Sequence, residues 1–161
     1  MIRNILIIIF SCFFLASCGK KETTQNDKGK FKVGLVFDVG GRGDKSFNDA
    51  AYRGLEKAKQ ELGIEFEYIE PGPGADREAA LRQFASRKDI SVIFGIGFIF
   101  TDEITKMAVE FPDKKFGCID YTVDPAKTIP PNLLALEFRE DEGSFLVGSI
   151  AGLMTKTNKV G

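Results

Sequence analysis

The chain has 161 residues, 22 basic against 23 acidic side chains, a formal net charge of −1, and no histidine. Its basic residues are scattered, and without a concentrated cationic surface no nucleic-acid partner is expected. The lack of histidine removes the usual general base and the commonest metal ligand. The expectation is therefore a non-enzyme without metal or cofactor, since catalysis would have to rest on carboxylates, lysines or a bare hydroxyl.

Residues 1–17 read as a secretory signal. Arg3 supplies the positive end, Ile5 to Phe14 an apolar run too short to span a bilayer, and Leu15-Ala16-Ser17 the approach to a cleavage site. Cys18 comes next, and Leu15-Ala16-Ser17-Cys18 resembles a bacterial lipobox, which implies an acylated Cys18 as the mature N-terminus. Each buried lipid methylene contributes about 0.8 kcal/mol, so several chains on one cysteine hold a protein to a membrane without spanning it. The expected location is the cell membrane, lipid-anchored on the extracytoplasmic side. Lys20 to Lys30 holds no apolar residue, so residues 18–30 read as a flexible tether. The folded part is then 31–161. Its single cysteine, Cys118, cannot form an internal disulfide and reads as a small buried hydrophobe.

Strand and helix signals alternate through this part, which predicts an α/β fold with a parallel sheet and helices on both faces. The first strand, Val33 to Phe37, runs into a turn containing Asp38, Gly40, Gly41 and Gly43, and then into a helix start at Ser46-Phe47-Asn48-Asp49. Ser46 and Asp49 have capping-box spacing. The helix should stop at Gly63 and bury Phe47, Ala51, Leu55, Ala58 and Leu62. Glu65 to Ile69 alternates as a strand with one wetter face, and Pro71 to Gly74 breaks it. A second helix from Asp76 to about Arg87 should bury Ala80, Leu81, Phe84 and Ala85, ahead of an apolar strand at Ser91 to Phe94. A second glycine turn, Gly95-Ile96-Gly97-Phe98, follows it, from which Phe98 or Phe100 could face a ligand. Another helix carries Ile104, Met107, Ala108 and Phe111, and a strand through Cys118 ends at Asp120. A last helix, Glu142 to Lys156, is apolar on most sides yet short and flanked by charge, which argues against membrane insertion.

In an open parallel sheet, ligands bind outside the carboxyl ends of the strands. That places Asp38 and Asp120 at one edge, with aromatic candidates between them. Carboxylates accept hydrogen bonds from neighbouring hydroxyls and rings stack on planar heterocycles, a combination that suits a nucleoside. Each aspartate alone reads more readily as a helix or turn cap, and Phe47 alone more readily as core than as a ligand platform.

Lys32 to Asp38, Gly43-Asp44-Lys45-Ser46-Phe47-Asn48, Gly95-Ile96-Gly97-Phe98, Phe111-Pro112-Asp113 and Ile119-Asp120 resemble the basic membrane protein family of substrate-binding lipoproteins, as does Phe138-Arg139-Glu140-Asp141-Glu142-Gly143. The resemblance implies a type I periplasmic-binding-protein fold, with two α/β lobes closing on a small molecule that is passed to an ABC importer permease. It implies a purine nucleoside as ligand. Carried over by motif, Asp38 and Asp120 bond its polar groups, Phe47 stacks on the base, Asn48 hydrogen-bonds to it, and Phe98 adds a weaker contact. Residues 31–161 would then be the first lobe, with relatives beginning a strand of the second where Lys159-Val160-Gly161 stands here. This span alone is expected to bind ligand weakly and to associate through its last helix. Two other functions fit parts of the sequence. Gly41-Arg42-Gly43 with Glu70 is a partial Rossmann dinucleotide fingerprint, with Ser46 at its third glycine position. A surface adhesin binding host matrix is the other, although no sequence feature marks its interaction surface.

Overall fold

The computed structural model describes residues 31–72, 74 and 76–160; the signal, Cys18 and the whole of the tether lie outside the described residues. Five strands, β1 Lys32–Val36, β2 Glu65–Ile69, β3 Val92–Ile96, β4 Lys115–Ile119 and β5 Leu133–Leu136, form one parallel sheet in the order β2-β1-β3-β4-β5. Between them run α1 Phe47–Leu62, α2 Arg77–Ala85 and α3 Thr101–Glu110, and α4 Glu140–Met154 follows β5. A 3-10 turn at Phe98–Phe100 leads into α3. The chain leaves β1 toward one edge for β2 and returns past it to β3, so the carboxyl ends of β1 and β3 flank a topological switch point.

Period-two alternation decides which side chains meet which helices. Val33, Leu35 and Phe37 pack with Leu55 of α1 on one face, while Val36 points into the larger core that α2 and α3 build with Ile93, Phe116 and Cys118. Gly34 also lies on the α2 side, where a β-carbon would stand 2.8 Å from the ring of Phe84. The bare backbone lets that fully buried ring lie against the strand, a burial of about 1.5–3 kcal/mol. Ala80, Leu81, Phe84 and Ala85 are all buried, as their spacing predicts. Cys118 is fully buried, and burial pushes its thiol up to about 12, which makes it an inert hydrophobe.

The helix ends follow the sequence in part. Asp76 caps α2 by accepting the Ala79 N–H at 3.0 Å, and Gly63 ends α1 in the left-handed region at φ 68°. The Ser46 capping box does not form. The carboxylate of Asp44 takes the N–H groups of Ser46, Asn48 and Asp49 at 2.9, 2.8 and 3.1 Å, while Asp49 turns back to those of Gly43 and Lys45. A charged acceptor beneath the helix mouth binds these donors more strongly than a hydroxyl does. Leu62 is the second correction: it is 76% exposed, so the buried stripe of α1 ends a turn early.

β5 was not anticipated from the sequence. It is only four residues long and depends on Asn132, whose buried amide donates to the carbonyls of Ala108, Phe111 and Lys114 at 2.9, 3.2 and 2.9 Å. At the opposite end of the sheet, Lys32 and Arg87 interleave with Glu67 and Asp89. Arg87, then Lys32, holds the Glu67 carboxyl down at about 2. α4 begins and ends two residues before its expected span, and no residue of it is buried. Phe145, Leu146, Val147, Ile150, Leu153 and Met154 are each more than half exposed. Among the described residues no helix is long and apolar enough to cross a membrane.

Candidate functional site at the carboxyl edge of the sheet

Asp38 follows β1 and Asp120 follows β4, with Gly97 between them at the end of β3. The parallel order thus brings both carboxylates to one edge, as the alternation of elements predicts. Asp38 Oδ1 accepts the Val39 N–H at 2.5 Å, and its Oδ2 faces Gly97. Gly97 has φ 105°, and a β-carbon there would fall 2.5 Å from that oxygen. The Gly97 N–H donates to Ile119 O at 2.8 Å, which ties the β3 end to the strand carrying Asp120.

Asp120 itself is held at φ 67°, a left-handed conformation uncommon outside glycine. Burial, then a hydrogen bond and repulsion from Glu140 in the first turn of α4, then the charge of Asp38, push its carboxyl above the usual range. Like charges at short range disfavour full ionisation. A ligand that donates hydroxyl or amino protons to this set would satisfy acceptors that otherwise repel one another.

An apolar groove of about 390 Å³ runs along the α1 side of the sheet, lined by Leu35, Phe47, Phe94, Ile119 and Phe138 among others; the three carboxylates do not line it, and Ile119 immediately precedes Asp120 in the chain. Phe47 is half-buried, packed on the α1 core with one flank on the groove, and meets Phe138 edge-to-face at 6.4 Å. Asn48 is buried. Its Oδ1 accepts the Asp38 N–H at 3.0 Å and its backbone N–H donates to the carboxylate of Asp44 at 2.8 Å, so it braces the turn that presents Asp38. Phe98 is 59% exposed and lines a different, larger open groove of about 910 Å³ between α3 and the segment after β4, with Thr101, Thr105 and Tyr121. Phe100 does not face a ligand. It is fully buried against Gly95 in the core, because the 3-10 turn rotates it inward.

Sequence reasoning gave no site role to Phe138 or Glu140. Both stand just past β5, inside the Phe138-Arg139-Glu140 block that carries part of the family resemblance, and that block with the strand-end position was the signal that could have marked them. Glu70, the acidic residue of the dinucleotide alternative, accepts the Arg42 N–H at 3.1 Å and so belongs to the turn.

The family described as ABC transporter substrate-binding protein, PnrA-like, matches residues 31–161. An uncharacterized lipoprotein of Pyrococcus furiosus is 43% identical over 141 residues, 88% of this chain and 34% of its own length. Basic membrane protein A of Borreliella burgdorferi is 37% identical over 161 residues, 98% of this chain and 44% of its own length. Among solved structures, an ABC transporter solute-binding protein of Aeropyrum pernix superposes with a TM-score of 0.67 at 33% identity, covering 76% of this chain and 32% of that one. The chain therefore spans between a third and a half of the length of these relatives. The likeness expected from the Asp-Lys-Ser-Phe-Asn and Phe-Arg-Glu blocks holds across the folded part, and the chain belongs to the Bmp family of PnrA-like ABC transporter substrate-binding proteins.

Proposed function

We propose that this chain forms the first lobe of a receptor, anchored through a lipid on Cys18, that binds purine nucleosides and delivers them to the permease of an ABC importer. The observation that carries the ligand class is the adjacency of two chemistries at one sheet edge. Asp38, Asp120 and Glu140 converge as hydrogen-bond acceptors, and Phe47, which precedes the Asn48 that fixes Asp38, meets Phe138, two residues before Glu140, edge-to-face on an apolar groove. Carboxylates accept from the paired hydroxyls of a ribose, and an aromatic wall takes the flat face of a base. Asn48 supports this site from behind by fixing Asp38, and Phe98 would reach a ligand only from the neighbouring groove. α4, apolar and exposed, fits the role of an element that a second lobe covers.

The test is calorimetric titration of adenosine, guanosine, inosine and uridine into the receptor extended through a second lobe. Purine nucleoside heats that disappear with Phe47→Ala and Asp120→Ala are the expected result. A folded, extended receptor giving no heat with any nucleoside would sink the ligand class.

A further inference from the structure

Backbone hydrogen bonds hold the turn from Val39 to Gly43: the Gly41 N–H donates to Asp38 O at 3.0 Å, the Arg42 N–H to Glu70 Oε2 at 3.1 Å and the Gly43 N–H to Asp49 Oδ1 at 2.9 Å. Val39 is 71% exposed, Gly40, Gly41 and Gly43 have no side chain, and only Arg42 reaches back onto the fold. Its guanidinium carbon lies 3.6 Å from the ring centroid of Tyr52 and 5.8 Å from that of Tyr68. The two tyrosines are themselves edge-to-face at 5.6 Å. From there the contacts lead to both walls of the crevice. Tyr68 meets Phe37 at 5.5 Å, and Phe37 is the fully buried residue immediately before Asp38. Tyr52 lies one helical turn beyond Asn48 on α1, the helix that begins with Phe47.

We propose that Arg42 is a positioning residue of the ligand site: by stacking across Tyr52 beside Tyr68 it locks the glycine turn onto the junction of β1 and α1, and so presets Asp38 and Phe47 for the ligand. This deepens the receptor function proposed above and rests on it. The carboxylates that accept the Arg42 and Gly43 N–H groups are exposed, so water competes for those bonds, and the flanking glycines leave the backbone more freedom than other residues would; the stack of Arg42 on Tyr52 adds to the hold on the turn. Ordering backbone costs conformational entropy, so without the clamp the ligand must supply more of that ordering when it binds. The consequence is a weaker complex reached more slowly, with an intact fold.

The experiment compares wild type, Arg42→Ala and Arg42→Lys in the full chain by amide hydrogen exchange, then measures adenosine association and dissociation rates in the extended receptor. Arg42→Ala should raise exchange at Gly41, Arg42 and Gly43 about tenfold while Ile93 and Phe116 in the core stay protected. It should also raise the adenosine Kd about tenfold, mostly through the association rate, with Arg42→Lys recovering part because it keeps a cation over the ring without the planar fork. A residue that only stabilised the fold would shift the melting point and leave both rates of the folded protein alone. Unchanged exchange in the turn overturns the proposal, and so does faster exchange with an unchanged adenosine association rate. If wild type gives no adenosine binding at all, the nucleoside ligand falls, and the exchange of the turn still decides the clamp.

Discussion

Oδ2 of Asp38 lies 2.5 Å from where a β-carbon of Gly97 would stand, so a carboxylate at the end of one strand rests against bare backbone at the end of its neighbour. The contact exists because β1 and β3 are paired in the sheet although β2 and α2 separate them in the chain. Gly97→Ala should fail twice. Its φ of 105° belongs to a region that only glycine occupies readily, at a cost of about 1–3 kcal/mol for another residue, and the methyl would displace Asp38. The expected outcome is a lower melting point together with loss of nucleoside heat that lowering the temperature does not restore.

Asp120 sets function against stability. Its carboxyl is raised by burial, by Glu140 and by Asp38, so the folded state holds its proton to a higher pH than the unfolded chain does. Between the ordinary value and the raised one the native state binds more protons, so stability falls as pH rises through that window and the deficit persists above it. Asp120→Asn removes the charge and keeps a side chain tolerant of the left-handed backbone. The variant should therefore melt higher than wild type at about pH 7, with the difference shrinking at about pH 3. Ligand binding should be lost. A variant that melts lower at neutral pH would contradict the carboxylate cluster.

Asn132 gives a sharper test of β5. Its amide serves three carbonyls at the end of α3 and the start of β4. Asn132→Ala removes a donor from all three, of which the Phe111 carbonyl keeps the Lys114 N–H, and should cost about 1–3 kcal/mol in chemical denaturation. Asn132→Asp should cost more, because it turns an acceptor toward acceptors. Equal losses for the two variants would mean that packing, not hydrogen bonding, matters at this position.

The exposed face of α4 should make the 161-residue chain self-associate. Leu146→Lys with Ile150→Lys replaces two side chains that are 63% and 57% exposed. Light scattering should show fewer large species, and the melting point should be unchanged within error, since surface substitutions away from packed contacts fall within about 0.5 kcal/mol. A melting point that drops by many degrees would show α4 packed in solution.

The alternation of strands and helices, the ends of α1 and α2, the burial of Leu81, Phe84 and Cys118, and the arrival of Asp38 and Asp120 at one edge were all legible in the sequence. Each follows from a local period, a cap or a glycine, and the parallel order then places strand ends together whatever the details. What only the tertiary structure decided concerns residues distant in the chain. Phe100 turns into the core while Phe98 stays out, Phe47 finds Phe138, Asn48 is spent on Asp38, and Glu140 comes up against Asp120. Asp44 caps α1 in place of Ser46 because the glycine turn folds it beneath the helix mouth. A side chain's period says which face it occupies, and its neighbour across the sheet is set by strand order, which no local pattern encodes.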